Sequence, residues 1–302
     1  MQHKGNLHEG SRILNTSPSP LVQRRRLRTE LRRARAEAGH TQDQVAAAMD
    51  WSLSKVIRIE SGAVSISTND LRALLNLYEI GDRDRVDALV ELARASRQAS
   101  WWSRYRTDIS APYLQYIEYE EAASVLRMYE PLLVPGLWQT EEYATAIIRE
   151  LANPDTPEEL IAARIEIRMR RQELLGHVSP PAIFCVLDEA VVQRLAGQRD
   201  VARGQIARLL ELAGRPNATL DIVPFSAGFH RGMLESFLIV EFPDVEDGDV
   251  LFSESSRDTI VSYDEAGEIT GYREVFEDLR SISLGEEGTL DYLRNLASQL
   301  SE

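Results

Sequence analysis

Three side chains that can hydrogen-bond to nucleic-acid bases stand at helical spacing in the first third of this 302-residue chain. Ser54, Lys55 and Arg58 occupy positions i, i+1 and i+4 of a short helix for which Ser52 is a suitable N-cap. They offer a hydroxyl, an ammonium and a guanidinium on one outward face, and lysine and arginine prefer O6 and N7 of guanine. The spacing predicts contact with DNA bases or phosphates, and an ordinary solvated face is the alternative.

The elements that must position this face are predicted to be short helices separated by turns, from Arg24 to about Arg97. Val56 and Ile59 lie on another face of the same helix and are expected to anchor it to a core. Gly39 stands where a helix C-cap glycine belongs, and Thr41 is a good N-cap for the next helix. Two such short helices, joined tightly, have the size needed to hold one of them in a major groove roughly 12 Å wide.

This helix pair resembles the Xre, or phage-repressor-like, helix-turn-helix family. The family pattern opens helix two with Thr-Gln and ends helix three with Val/Ile-x-x-Ile-Glu-x-Gly, and the matching residues are Thr41-Gln42, Val56, Ile59-Glu60 and Gly62. The resemblance covers roughly residues 24–80 and implies an all-α, phage-repressor-like domain, for which the helical pattern indicates five helices. Asp50 departs from the glycine that the family often has in the turn, but aspartate tolerates the left-handed conformation better than most residues.

The resemblance also implies roles for individual side chains. Gln42 is expected to hold a phosphate, and Glu60 to pair inside the fold with Arg35 of helix one. Leu53 differs from the polar residues that are expected to contact bases, since it can offer only apolar contact, for example to a thymine methyl group. Arg25, Arg28 and Arg32 share one stripe of helix one, which favours phosphate contact over a solvated surface. The expected DNA-binding residues are Gln42, Ser52, Leu53, Ser54, Lys55, Arg58, Arg25, Arg28 and Arg32.

Charge is distributed unevenly along the chain. The whole sequence has 34 basic and 48 acidic residues, for a net charge of −14. Residues 21–107 hold 16 basic and 11 acidic residues, a balance of +5, whereas residues 108–302 hold 16 and 36, a balance of −20. A basic N-terminal region on an acidic body indicates a polyanionic partner for one end only, unless the two surfaces are simply solvated.

The order of elements favours an α+β protein, because helices come in blocks and the strands cluster later. Helices are predicted at 118–128, 140–151, 157–175, 190–195, 201–212, 272–279 and 289–300, and strands at 182–187, 219–223, 237–242, 250–252 and 259–263. The expected division is a disordered arm (1–20), a helix-turn-helix domain (21–98), a linker (99–117) with Trp101, Trp102 and Tyr105, a mixed helix-and-sheet domain (118–284) and a C-terminal helix (285–302).

The acidic body, from about residue 120 to 265, resembles the uncharacterised domain that follows such a helix-turn-helix in many actinobacterial-type regulators. Four segments carry this resemblance: 129–144, which contains Val134-Pro135-Gly136-Leu137-Trp138, then 168–172, 187–190 and 222–230. Some members resemble antitoxin-like regulators encoded beside a small partner protein. The resemblance implies regulation and supplies no ligand or catalytic residue.

Enzymatic and metal chemistry are disfavoured by the remaining motifs. Ser226, His230 and either Asp188 or Asp221 supply the residue types of a hydrolase triad, but no Gly-x-Ser-x-Gly elbow surrounds Ser226. The histidines are scattered without ligand spacing, and no glycine-rich phosphate loop occurs, so neither a metal nor a cofactor is expected. Cys185 lies in an apolar run and is expected to be buried.

Two segments of the body could either form a binding surface or pack in the core. These are residues 134–138, where Pro-Gly forces a turn among apolar residues, and the loop 226–232, whose glycines permit movement. No stretch approaches the roughly 18 apolar residues of a membrane-spanning helix, and the N-terminus lacks the apolar segment of a secretory signal. A cytoplasmic protein is therefore expected.

The functional hypothesis is a sequence-specific DNA-binding transcriptional regulator that inserts residues 52–58 into the major groove of double-stranded DNA as a homodimer. The acidic body would then sense a small-molecule effector or bind a small cationic protein. The alternative is an antitoxin-like interaction protein that sequesters a small partner protein and autoregulates its operon.

Overall fold

The computed structural model describes residues 20–98, 100–195, 197–243, 248–254, 259–263 and 266–300. The expected arm lies outside these residues except for Pro20, which begins the first helix. Within residues 20–98 the chain forms the five expected helices, which are α1 (Pro20–Glu37), α2 (Gln42–Ala48), α3 (Leu53–Glu60), α4 (Thr68–Leu77) and α5 (Arg83–Ala95).

Short polar side chains start four of these helices. Thr41, Ser52, Ser67 and Asp82 each accept a hydrogen bond from the backbone N–H three residues later, and Thr41 forms a capping box with Gln44. The apolar faces of all five helices pack together in one buried cluster, which includes Leu31, Val45, Val56, Ile59, Leu71 and Val90. The predicted five-helix domain is confirmed.

The second part of the chain is a mixed α+β domain, as expected. Its helices are α6 (Ala111–Ala122), α7 (Glu141–Glu150), α8 (Glu158–Arg171), α9 (Glu189–Leu195), α10 (Arg199–Ala213), α11 (Ala266–Ser281) and α12 (Gly285–Gln299). Its strands are β1 (Val125–Glu130), β2 (Ala182–Asp188), β3 (Ala218–Val223), β4 (Ser236–Glu241), β5 (Val250–Glu254) and β6 (Thr259–Tyr263).

The described strands form one sheet in the order β3-β2-β1-β4-β5-β6. The first three strands are mutually parallel and are connected through α7 to α10, whereas β4, β5 and β6 are antiparallel to their neighbours. Alternate residues of each strand face opposite sides of the sheet. Leu126, Cys185 and Leu220 pack with α10 and α12 on one side, while Tyr129 and Val186 pack with α11 on the other.

Strand β1 corrects the prediction of one helix over 118–128. The helix ends at Ala122, and residues 125–130 lie in the middle of the sheet, between β2 and β4. Leu126, Arg127 and Met128 favour helix when taken alone. Backbone pairing with strands on both sides outweighs that preference, and the pairing partners are more than 50 residues away in the sequence.

The stretch expected as a linker, residues 99–117, is folded in its described part. A 3-10 helix spans Trp101–Tyr105, and α6 begins at Ala111. Trp102 and Tyr105 are buried with Ile117 of α6 and Ile167 of α8. Burying large aromatic side chains is strongly favourable, so Trp102 and Tyr105 anchor this segment to the second domain.

Packing in the core accounts for two features that the sequence singled out. Val134, Leu137 and Trp138 are almost completely buried beneath α8 and α10, so the 134–138 segment packs in the core. Cys185 is buried as predicted, and burial raises the pKa of its thiol. The C-terminal helix α12 packs in the same core through Leu293.

Two further observations concern the described residues alone. No helix among them combines the length and apolar character needed to cross a membrane. Within the same ranges, no three His, Cys, Asp or Glu side chains are grouped so that they could hold a metal ion.

A buried ion pair between α6 and α8 gives a test of this packing. Arg171 donates two hydrogen bonds of 2.9 and 2.7 Å to Glu120, and both side chains are nearly inaccessible to water. Glu120→Ala leaves a buried, uncompensated guanidinium, and we expect a loss of about 3–5 kcal/mol in the free energy of unfolding by urea denaturation. As a control, Glu158→Ala breaks the exposed pair with Arg149 and should change the stability little. If the two variants lost the same free energy of unfolding, the buried pair would not have the predicted importance.

Candidate nucleic-acid interface

A tight turn between α2 and α3 sets the direction of the second helix. Asp50 has a φ of +52°, in the left-handed region that was expected for it. The backbone N–H of Trp51 donates to Ala46 O at 2.9 Å, and Ser52 then caps α3 by accepting from the N–H of Lys55. The turn is therefore fixed by backbone bonds on one side and by a side-chain cap on the other.

Helix α3 has one buried and one exposed face. Val56 and Ile59 are buried, as their spacing predicted. The exposed face contains Ser54 and Arg58, together with two large apolar side chains, Leu53 at 39% exposure and Ile57 at 44%. Such a face offers hydrogen bonds and apolar contacts side by side.

Ile57 is the residue of this face that sequence reasoning missed. It lies four residues after Leu53 and three after Ser54, which places all three side chains on the same side of a helix. Its apolar character suggests a core position, although Val56 and Ile59 already fill the face that meets the core. The i, i+4 relation to Leu53 is the signal that could have identified it.

A buried carboxylate joins the first three helices. Glu60, at the end of α3, accepts two hydrogen bonds from Arg35 of α1, at 2.7 and 3.1 Å, and a third from Gln42 Nε2 at 2.8 Å. Arg35 also donates to the carbonyl of His40 at 3.0 Å. The Arg35–Glu60 pair implied by the family resemblance is thus confirmed, and its hydrogen bonds raise the pKa of Arg35.

Tyr78, the residue that follows α4, lies close to this network. The Tyr78 side chain is buried beside the Glu60 carboxylate. Burial first, and then the negative charge of Glu60, raises the pKa of Tyr78, so its phenol stays protonated at neutral pH. Tyr78 therefore adds no charge beside the Arg35–Glu60 ion pair.

Lys55 stands beside Ser54 and Arg58 on α3, and its ammonium has two contacts within the protein. Its ammonium lies 3.2 Å from Asp70 Oδ2 of α4 and 3.8 Å from the centroid of the Trp51 ring. Both contacts favour a cation, one as an ion pair and the other as a cation–π interaction. The side chain keeps 39% exposure, so the ammonium is held at the edge of the interface.

The arginines expected to form a phosphate-binding stripe on α1 are directed toward the protein. The Arg25 guanidinium lies 3.3 Å from the centroid of the Phe242 ring in the second domain. Arg28 donates to the carbonyl of Ser61 at 3.2 Å, and Arg32 is half-buried. Arg26 and Arg33 are the more exposed basic residues of this helix. Helix α1 packs against α3, α5 and α6, so this side of the helix faces the rest of the protein.

The residues considered for hydrolysis lie in the second domain and are only partly assembled. His230 Nε2 lies 3.4 Å from Asp188 Oδ2, and Ser226 is exposed in the same loop as His230. Asp221 is buried and instead pairs with Arg280 at 3.4 Å.

Comparison with known protein families gives two matches. Residues 26–89 match the model of a helix-turn-helix domain, which covers most of α1 to α5. Residues 113–295 match the model of a domain of unknown function, DUF5753, which extends from α6 into α12. No curated protein matches the chain, and no solved structure matches it.

The Glu60 network gives a direct stability prediction. Glu60→Gln keeps the side-chain volume but removes the negative charge and one of the two acceptor oxygens that Arg35 bonds. We expect a loss of about 1.5–3 kcal/mol in the stability of the helical domain, measured by urea denaturation and hydrogen exchange at α1 to α3. Glu37→Gln removes an exposed carboxylate that pairs with Arg33 and serves as the matched control. A loss as small as that of the control would mean that the network does not hold the helices together.

Proposed function

This chain belongs to the family of the domain of unknown function DUF5753, with a helix-turn-helix domain ahead of it, and we propose that it is a sequence-specific transcriptional regulator. The helix-turn-helix domain is that of a DNA-binding regulator and is Xre-like in its sequence pattern. The observation that carries the finer proposal is the exposed face of α3, which is held by a buried anchor on its other side.

In the proposed complex, α3 enters the major groove with its exposed face toward the bases. An α-helix with its side chains is about 10–12 Å in diameter, which matches the roughly 12 Å width of the groove. Ser54 and Arg58 would bond base edges, while Leu53 and Ile57 would pack against thymine methyl groups. Direct contact with bases supplies specificity, which backbone contacts alone do not.

Phosphate contacts would come from the ends of the helix pair. Gln42 stands at the start of α2, and its hydrogen bond to Glu60 fixes its side chain. Ser52 stands directly before α3, as its N-cap. Arg28, Arg32 and Lys55 add positive charge beside this surface, whereas Arg25 serves the contact with Phe242.

Two copies of the chain are proposed to bind one operator. A single eight-residue helix contacts few base pairs, and two-fold symmetric operators are bound by two-fold symmetric proteins. Sedimentation of the complex with a duplex site should give two chains per duplex; one chain per duplex at saturation would exclude this arrangement.

A second candidate function, capture of a small cationic protein, is favoured by charge. Residues 108–302 carry a balance of −20 and would repel DNA. An open groove of about 710 Å³ between α7 and α8 has three glutamates in its lining, Glu141, Glu166 and Glu173, against one arginine, Arg170. A partner that copurifies, is released by salt and changes the affinity for DNA would favour this function. Binding that is indifferent to ionic strength would count against it.

Arg58 gives the sharpest test of base contact. A duplex selected from a random pool by the full chain provides the specific site, and its scrambled sequence provides the reference. Arg58→Ala should cost about 1–3 kcal/mol on the selected duplex and relax preference at one base pair, because a guanidinium bonded to guanine is lost. Arg94→Ala, on the exposed face of α5, is the control. Equal losses on both duplexes would assign Arg58 to the phosphate backbone.

Asp70 tests the position of Lys55. Asp70→Asn removes the carboxylate that holds the ammonium 3.2 Å away, so Lys55 becomes free to neutralise a further phosphate. We expect tighter binding and a salt dependence of log K that is steeper by about 0.9. Asp87→Asn makes the same change of net charge at an exposed carboxylate of α5. If both variants shift the salt dependence equally, the gain comes from net charge and not from Lys55.

A further inference from the structure

A pocket of about 430 Å³ opens in the second domain at the carboxyl ends of the three parallel strands. Tyr129 comes from the end of β1, Asp188 from the end of β2, and Pro224 directly follows β3. The loop after β3, residues 225–233, completes the wall. This edge is where α/β sheets commonly bind ligands, because the loops that leave the strands can be shaped there without disturbing the sheet. The volume lies within the range of small-molecule sites.

Two buried polar atoms at this pocket make no hydrogen bond with any described part of the protein. They are Tyr129 Oη and His230 Nδ1. Tyr129 has 0% exposure, the His230 side chain has 7%, and their rings meet edge to face with centroids 6.2 Å apart. A buried donor or acceptor without a partner is costly, and native proteins almost always satisfy such atoms. Both atoms belong to residues that line the pocket.

The chemistry of the two atoms defines the group that would bind them. His230 Nε2 faces Asp188 Oδ2 at 3.4 Å, so a proton on Nε2 leaves a lone pair on Nδ1. Asp188 is itself fixed, because its Oδ1 accepts from the N–H of Ala190 at 2.8 Å. Burial first, and then the charges of Asp188 and Glu130, raises the pKa of Tyr129, so its phenol keeps a proton to donate. The complementary group therefore accepts one hydrogen bond and donates another.

The position of the Tyr129 ring is fixed by close packing. A Cβ atom at Gly232 would lie 2.7 Å from Cε1 of that ring, which is closer than carbon atoms pack. Only a glycine lets the 3-10 helix Arg231–Leu234 approach so closely. The phenol is consequently held in place before any ligand arrives.

The walls of the pocket are apolar and lack positive charge. Phe225, Phe229 and Met233 line it and are exposed to 60%, 97% and 55%, although such side chains are usually buried. No lysine or arginine is among the described lining residues, and Asp188 contributes a carboxylate. The Asp188 carboxylate would repel an anion. An ammonium group has no lone pair with which to accept a hydrogen bond from Tyr129 Oη.

We propose that this pocket binds an uncharged small molecule that has an apolar body and a hydroxyl or carboxamide head. The head bonds to Tyr129 Oη and His230 Nδ1, and the body lies against Phe225, Phe229 and Met233. This site would give the second domain a ligand of its own, apart from the DNA surface of α3.

The test uses 2-naphthalenemethanol as the probe and follows its binding to the full chain by saturation-transfer NMR. The matched probes 2-naphthoate and 2-naphthylmethylammonium have the same body with a charged head. We expect the alcohol to bind at least about 10-fold more tightly than either charged probe. The carboxylate has no proton to donate to His230 Nδ1, and the ammonium has no lone pair to accept a hydrogen bond from Tyr129 Oη. Naphthalene-2-carboxamide should bind about as well as the alcohol.

Two variants locate the probe. Tyr129→Phe keeps the ring and removes one hydroxyl, and it should weaken binding of the alcohol about 3- to 10-fold. Phe229→Ser removes an exposed wall residue and should also weaken it, whereas Val178→Ser, at an equally exposed position outside the pocket lining, should not. Thermal unfolding of each variant verifies that it is folded.

Several results would overturn the proposal. One is the absence of saturation transfer with both uncharged probes. Another is that the charged probes bind as tightly as the alcohol, and a third is that folded Tyr129→Phe binds the alcohol with unchanged affinity. The measurement contains no DNA, so its failure leaves the proposed DNA binding untouched, and a failure of DNA binding leaves the pocket result untouched.

Discussion

The helix pair depends on one buried carboxylate. Glu60 is 3% exposed, yet it accepts hydrogen bonds from both α1 and α2, and these bonds compensate the cost of removing its charge from water. Because Glu60 is the last residue of α3, the same bonds fix the angle of that helix against the domain. One of these bonds also holds Gln42. The Glu60 carboxylate thus positions both Gln42, which is expected to contact a phosphate, and α3, which is expected to contact bases.

A second constraint is that α1 serves both domains. One side of it contributes Leu27 and Leu31 to the helical core, while Arg25 lies over the Phe242 ring of the second domain. Glu118 of α6 faces the same helix end, where burial raises its pKa and the charges of Arg24 and Arg25 oppose that shift. Some arginines of the first domain therefore contact the acidic second domain, and fewer are available to bind DNA than the sequence suggested.

Local features were predictable from sequence, and features that depend on distant partners were not. Helix caps such as Thr41 and the left-handed turn at Asp50 follow from the chemistry of one or two neighbouring residues. The orientation of Lys55 depends on Asp70, which is 15 residues away, and strand β1 depends on strands more than 50 residues away. The pocket could be predicted only in part. The glycines of the loop 226–232 indicated a possible binding surface there, but nothing in the sequence indicated that Tyr129 lines the same pocket.

The central claim is that the exposed face of α3, held by Glu60, binds DNA according to its sequence. It is tested most directly by fluorescence anisotropy of the full chain, titrated against a selected duplex and its scrambled counterpart at several salt concentrations. The account predicts much tighter binding to the selected duplex, with log K falling linearly with log salt as phosphate contacts release counterions. Equal and weak binding to both duplexes at every salt concentration would contradict it.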